Sequence, residues 1–172
     1  MKIALIHDHL NQIGGAEKVL KEFTEIYPQA PIFSLIYDKK ITTQYFPAKK
    51  IISSFIQSLP FGVKLFKWYL PLMSAAVESL NVKGFDLILS DSSAFAKGVI
   101  SDINTLHLCY CHTPTRYLWS DSWEYIEELK QSNFFIKKFL PLILTQFRQW
   151  DFLAAQRVDK FIANSHFVAK RI

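Results

Sequence analysis

The four aliphatic residues at positions 3–6 end abruptly at His7-Asp8-His9, and Gly14-Gly15 then precedes a helix-spaced segment. An unbroken aliphatic run fits a strand buried on both faces, the situation of a parallel sheet. In the segment that follows, Val19, Leu20, Phe23 and Ile26 share one helical face, with Glu17, Lys18, Lys21 and Glu22 expected outside. Pro28 and Pro31 close that helix, and residues 32–37 read as a second strand. This β-loop-α-β opening predicts an α/β, Rossmann-like, doubly wound and mostly parallel sheet with helices on both faces.

Further along, residues 51–55 read as either another strand or an extended link. Helical spacing of Leu65, Trp68, Tyr69, Leu72, Ala76 and Leu80 predicts a helix over 61–80, kinked at Pro71. Residues 86–90 and 106–111 read as buried strands, and 134–155 as an aromatic and basic helix with Pro141 inside it. A last strand is expected over 160–163, and Asn164-Ser165 offers an N-cap for a helix that is only one turn long at Ile172. Such a helix cannot bury a useful face, which suggests a chain that continues.

The chain carries 15 Phe, 7 Tyr and 4 Trp, more rings than core filling needs, and a formal charge of +5. Surface rings with positive charge favour anionic partners. The charge is scattered and no nucleic-acid motif is present, so a nucleic-acid binder is poorly supported. Cys109 and Cys111 lie two apart on an expected strand, a poor disulfide pair, which fits a reducing compartment. The N-terminal apolar run is too short for a signal segment, and no stretch is long enough to span a bilayer. The expectation is a cytoplasmic protein, with peripheral contact at the inner face of the plasma membrane as a further option.

Four clusters can carry chemistry. Gly14-Gly15 either lets a backbone approach an anionic ligand at a helix N-terminus or forms a tight turn needing positive φ. No GxGxxG and no P-loop lysine accompany it, so dinucleotide and NTPase sites are disfavoured. His7 and His9 stand at the ligand-binding edge of the sheet and face the same way if the strand reaches them. Asp91-Ser92-Ser93 closes a strand, able to bind an acceptor or to cap a turn. His112, just before Thr113-Pro114, either is a hydrogen-bonded loop histidine or meets a ligand hydroxyl or a developing charge at the strand's C-terminal edge. Zinc on His107, Cys109 and Cys111 is disfavoured, because a period-two set on one strand lacks a second segment. No metal site and no cofactor are assigned.

Three segments together resemble a known family: Ile6-His7-Asp8-His9 with Gly14-Gly15-Ala16-Glu17, the run from Tyr110 to Trp119 containing His112-Thr113-Pro114-Thr115-Arg116-Tyr117, and Arg157-Val158-Asp159 through Asn164-Ser165. The chain resembles, along essentially its whole length, the N-terminal domain of retaining glycosyltransferases of family 4 with the GT-B fold. The mannosyltransferase-like branch that builds bacterial surface polysaccharides is the nearest in character. The resemblance implies that residues 1–172 form the acceptor-side domain, with the donor-binding C-terminal domain absent. It implies that Gly14 and Gly15 face the donor's diphosphate and sugar, and that His112 stands near the reaction centre. His9, Asp91, Ser92, Arg116, Tyr117 and Trp119 would shape the acceptor side, while Asp159, Asn164 and Ser165 would be structural. The implied partners are a nucleotide-sugar held through the missing domain, a saccharide or lipid-linked acceptor, and an anionic membrane surface. The other class in contention is a stand-alone Rossmann-like nucleotide- or ligand-binding module without catalysis.

Overall fold

A computed structural model of the chain describes residues 1–116, 118–120 and 134–172, with side chains 134–141 outside the description. Strand β1 (Ile3–Leu10) leads through helix α1 (Gly15–Ile26) to β2 (Ile32–Tyr37), then α2 (Lys39–Tyr45) and the short β3 (Ile51–Ser53). Two 3-10 helices, Phe55–Ser58 and Phe66–Leu72, precede α3 (Met73–Glu78) and β4 (Leu87–Ser92). A further 3-10 turn, Ala96–Gly98, leads to β5 (Leu106–Cys111). The chain closes with α4 (Phe134–Ala155), β6 (Lys160–Ala163) and α5 (His166–Ala169).

The six strands form one sheet in the order β3-β2-β1-β4-β5-β6, and every neighbouring pair is parallel. That is a doubly wound Rossmann-like sheet whose topological switch falls between β1 and β4. Side-chain alternation along β1 feeds two cores. Ala4 and Ile6 pack with Met73, Val77, Leu144 and Phe147 beneath α3 and α4, whereas Leu5 packs with Leu20 and Phe46 on the α1 and α2 side. Helices therefore cover both faces, as a buried parallel sheet requires.

Two expectations need correction. Ile26 is 63% exposed and Glu17 is buried. The inward face of α1 is Glu17, Leu20 and Thr24, and Ile26 lies half a turn of the helix away from Glu17. The segment 61–80 is not one kinked α-helix: a 3-10 stretch containing Pro71 precedes the six residues of α3. With three residues per turn, Leu65, Trp68 and Pro71 line up on one face, and that face points outward. Of the two readings of residues 51–55, the strand holds over Ile51–Ser53, and a 3-10 turn starts at Phe55.

The expected cap is present, with Ser165 Oγ accepting the Val168 N–H at 3.2 Å. Asp159 accepts the His107 N–H at 2.7 Å and returns its own N–H to the His107 carbonyl, pinning the start of β6 to β5.

Candidate functional site at the switch point

Where β1 and β4 part, the strand ends open a cleft of about 930 Å³. His7, Asp8 and His9 line it from β1, Gly14, Gly15 and Glu17 from the turn into α1, and His112 with Arg116 from the loop after β5. Crevices at such points collect the ends of several strands and the N-terminus of a helix.

The floor of the cleft is held by Asp8. Its Oδ2 accepts the N–H groups of Ser93 and Ala94 at 2.7 and 2.9 Å, and its Oδ1 those of Phe95 and Ala96 at 2.8 and 2.6 Å. Burial alone would raise the Asp8 carboxyl, but the adjacent histidines and these four donors hold it below its ordinary value. The ends of β1 and β4 are thereby tied together at the site.

Above that floor runs a chain of alternating carboxylates and imidazoles. Gly14 N–H donates to Glu17 Oε2 at 2.7 Å, and Glu17 Oε1 lies 3.5 Å from His7 Nε2. His7 Nδ1 donates to Asp91 Oδ2 at 2.8 Å, and Asp91 Oδ1 accepts from His112 Nε2. Burial pushes the His7 imidazole down, but the hydrogen bonds to Asp91 and Glu17 and the charges of Asp91 and Asp8 outweigh it, raising it to about 9. His7 is thus a buried imidazolium. His9 behaves oppositely, because burial lowers its imidazole and keeps it neutral. Its ring lies 4.9 Å from that of Phe66, and its buried Nε2 has no partner among the described residues.

Tyr117 apart, each expected site residue has a definite place. Neither Gly14 nor Gly15 has a positive φ, so the tight-turn explanation fails. A Cβ on Gly14 would come within 3.1 Å of Glu17 Oε2, while one on Gly15 would meet nothing within 4 Å. What the turn provides is an accessible helix N-terminus. Asp91 and Ser92 do not stand open to an acceptor: Asp91 is spent on the two histidines, and the buried Ser92 Oγ accepts the Lys97 N–H at 3.3 Å. Arg116 is exposed on the cleft rim. Tyr117 lies outside the described residues.

Trp119 belongs elsewhere. Its Nε1 donates to Asp151 Oδ2 at 2.9 Å, and the ring lines a neighbouring cavity of about 440 Å³. Asp151 Oδ1 also takes Thr115 Oγ1 at 2.7 Å and Lys97 Nζ at 2.6 Å, so one carboxylate from α4 anchors the loop that carries His112. Lys97 is equally committed, donating to the Ala94 carbonyl as well.

Sequence reasoning missed Lys97, Asp151 and the inward role of Glu17. The signal was there: Lys97 is the one charge within residues 94–100, and Asp151 interrupts an aromatic stretch. The cysteines are unpaired and buried, and burial drives Cys109 up to about 12, which suits inert core residues. Among the described residues, no three His, Cys, Asp or Glu side chains group so as to hold a metal.

Next to the cleft, Phe66 and Lys67 belong to a segment whose outer side is apolar and basic. Phe61 and Trp68 are each 70% exposed, and Lys64, Leu65 and Leu72 are exposed beside them. Phe61 holds a φ of 53°, a strained conformation for a bulky residue. From residue 39 to residue 77 there are six lysines and no carboxylate. Lys137 and Lys138, the lysines of the aromatic and basic segment 134–155, have side chains outside the description. No helix among the described residues is long and apolar enough to cross a membrane.

No protein-family model and no curated protein matches the chain. Two solved structures, Anabaena Alr3699/HepE in complex with UDP and the same protein with UDP and glucose, align at 15% identity with TM-scores of 0.42 and 0.43. The alignments cover 95% of this chain but 43% and 44% of those chains, so it spans less than half their length.

Proposed function

We propose that this chain is the N-terminal, acceptor-side domain of a two-domain GT-B glycosyltransferase of family 4. In this reading it moves a hexose, mannose being the first candidate, from a nucleotide-sugar to a saccharide or lipid-linked acceptor in bacterial surface-polysaccharide synthesis. The observation that carries the reading is the convergence, at the switch-point cleft, of the helix N-terminus exposed at Gly15, next to the Glu17-capped Gly14, with His112 held by Asp91. The first suits an anionic diphosphate. The second is an imidazole whose Nε2–H is committed to a carboxylate, so that Nδ1 is left to take a sugar hydroxyl proton in a hydrogen bond. The three sequence segments quoted above point to the same family.

Transfer would retain the anomeric configuration. The acceptor oxygen bonds to the anomeric carbon on the face from which the diphosphate leaves, and the departing phosphate oxygen takes the acceptor proton. Residues of this domain bind and orient in that step, and none serves as a covalent nucleophile. The donor nucleotide would be held by a second domain. The exposed Phe61, Trp68, Lys64 and Lys67 beside the cleft would rest on the anionic inner face of the plasma membrane and bring a lipid-linked acceptor to His112.

The experiment is a titration of this chain with UDP and GDP, followed by amide NMR. Weak or absent binding fits an acceptor-side domain. Tight nucleotide binding centred on Gly14 and Gly15 would overturn the reading in favour of the stand-alone nucleotide-binding module.

A further inference from the structure

A carboxylate with no exposed side-chain surface, as at Asp91, requires a compensating positive charge close by. Two rings are in reach, His7 and His112, and they differ in surroundings. The His7 side chain is 3% exposed and touches carboxylates on both nitrogens, Asp91 from β4 and Glu17 from α1. Asp8 and the neutral His9 are its charged or titratable neighbours along β1. The His112 side chain is 14% exposed, borders the cleft, and touches Asp91 through one nitrogen.

We infer that His7 is a positioning residue for His112: clamped between Asp91 and Glu17, it supplies the positive charge that Asp91 needs and leaves His112 able to exchange its own proton at the cleft. The division is electrostatic. A cation at His7 attracts Asp91 and disfavours a second cation on its other side. Without it, the demand of the buried carboxylate falls on His112 alone. The same arrangement ties His112 to the turn at Gly14, whose N–H is held by the opposite partner of His7. The inference rests on the reading of His112 as the reacting-centre imidazole, but its test needs no sugar transfer.

The test is imidazole nitrogen NMR on this chain across a pH series. In His7→Gln, which keeps a side-chain donor and loses the charge, the His112 ring-nitrogen signals across the pH series differ from those of the parent. In Glu17→Gln, the His7 titration moves down from its position near pH 9, and the His112 signals shift in step with it. Asp91→Asn abolishes the response of His112 to His7. Should His7→Gln fail to fold, Glu17→Gln carries the test by itself. A His112 titration unchanged in a folded His7→Gln, or His112 signals indifferent to the His7 titration in Glu17→Gln, overturns the inference. If the couplings are present but the UDP and GDP titrations refute the transferase reading, the positioning role stands and the transferase reading falls alone.

Discussion

Asp91 bridges two imidazoles from opposite sides, accepting from His7 Nδ1 at 2.8 Å through Oδ2 and from His112 Nε2 through Oδ1. Residues 84 and 21 positions away in sequence are thereby brought onto one carboxylate.

His112 is the member of that trio nearest the cleft, so its removal should act on rate. Under the proposed transferase reading, His112→Ala in the full-length protein should lower kcat on the order of a hundredfold. Circular dichroism and urea unfolding should stay near those of the parent. Unchanged turnover in a folded variant would reduce His112 to a loop histidine.

His7 should leave a mark on stability at alkaline pH. Its folded value, about 9, lies above the unfolded 6.5, so the stability it contributes is complete below 6.5 and lost as pH rises through 9. The shift corresponds to about 3 kcal/mol at most. Urea midpoints should therefore fall between pH 7 and 10, and the fall should shrink in His7→Gln. An identical alkaline loss in both proteins would contradict the assignment.

His107 works at the acid end. Burial lowers it to about 4, so the stability associated with its neutral form is present above the unfolded 6.5 and declines as pH drops toward 4. Ser90 Oγ meets its Nε2 at 2.9 Å, a contact that the acid-induced proton disturbs. His107→Gln should flatten the urea-midpoint profile between pH 6.5 and 4. A profile of unchanged slope would exclude His107 as a source of acid lability.

Asp151 tests the anchor of the His112 loop. Asp151→Ala strands the buried Lys97 ammonium and releases Thr115 and Trp119, and breaking a buried pair costs about 3–5 kcal/mol. The double variant Asp151→Ala with Lys97→Met should recover part of that loss. A loss below about 1 kcal/mol in the single variant would assign the loop's anchoring to other contacts.

The basic, ring-bearing segment is open to a vesicle assay. Each lysine near an anionic surface contributes about 1 kcal/mol, so the attachment should be weak and salt-sensitive. Co-sedimentation with phosphatidylglycerol-containing vesicles should be seen at low salt and be lost in Lys64→Glu with Lys67→Glu. Absence of binding even at low salt removes the membrane from the proposal.

The parallel strands were legible because burial on both faces leaves nearly uninterrupted apolar runs, as at residues 3–6 and 87–89. The segment 61–80 was not, because i, i+3 and i+4 spacing does not separate a 3-10 turn from an α-helix, and Pro71 fits either. Glu17 looked like a solvated helix residue, since a carboxylate that folds back onto Gly14 and His7 leaves no periodic trace. His112 could be singled out from its neighbours in sequence. The part played by Asp91 could not, since it follows from β1 lying beside β4, a pairing that skips two intervening strands.

That adjacency also sets when the site can come into being. Register between β1 and β4 pairs His7 with Asp91, and it closes a loop that contains α1, β2, α2, β3 and α3. Loop-closure entropy must be met before such a distant contact stabilises anything. A chain with β1, α1 and β2 assembled would therefore still have His7 and His112 without Asp91. During refolding, the slow change in His7 and His112 signals should accompany the central strand pairing and not the earlier helix formation, so the state of these two rings is a clock for completion of the sheet.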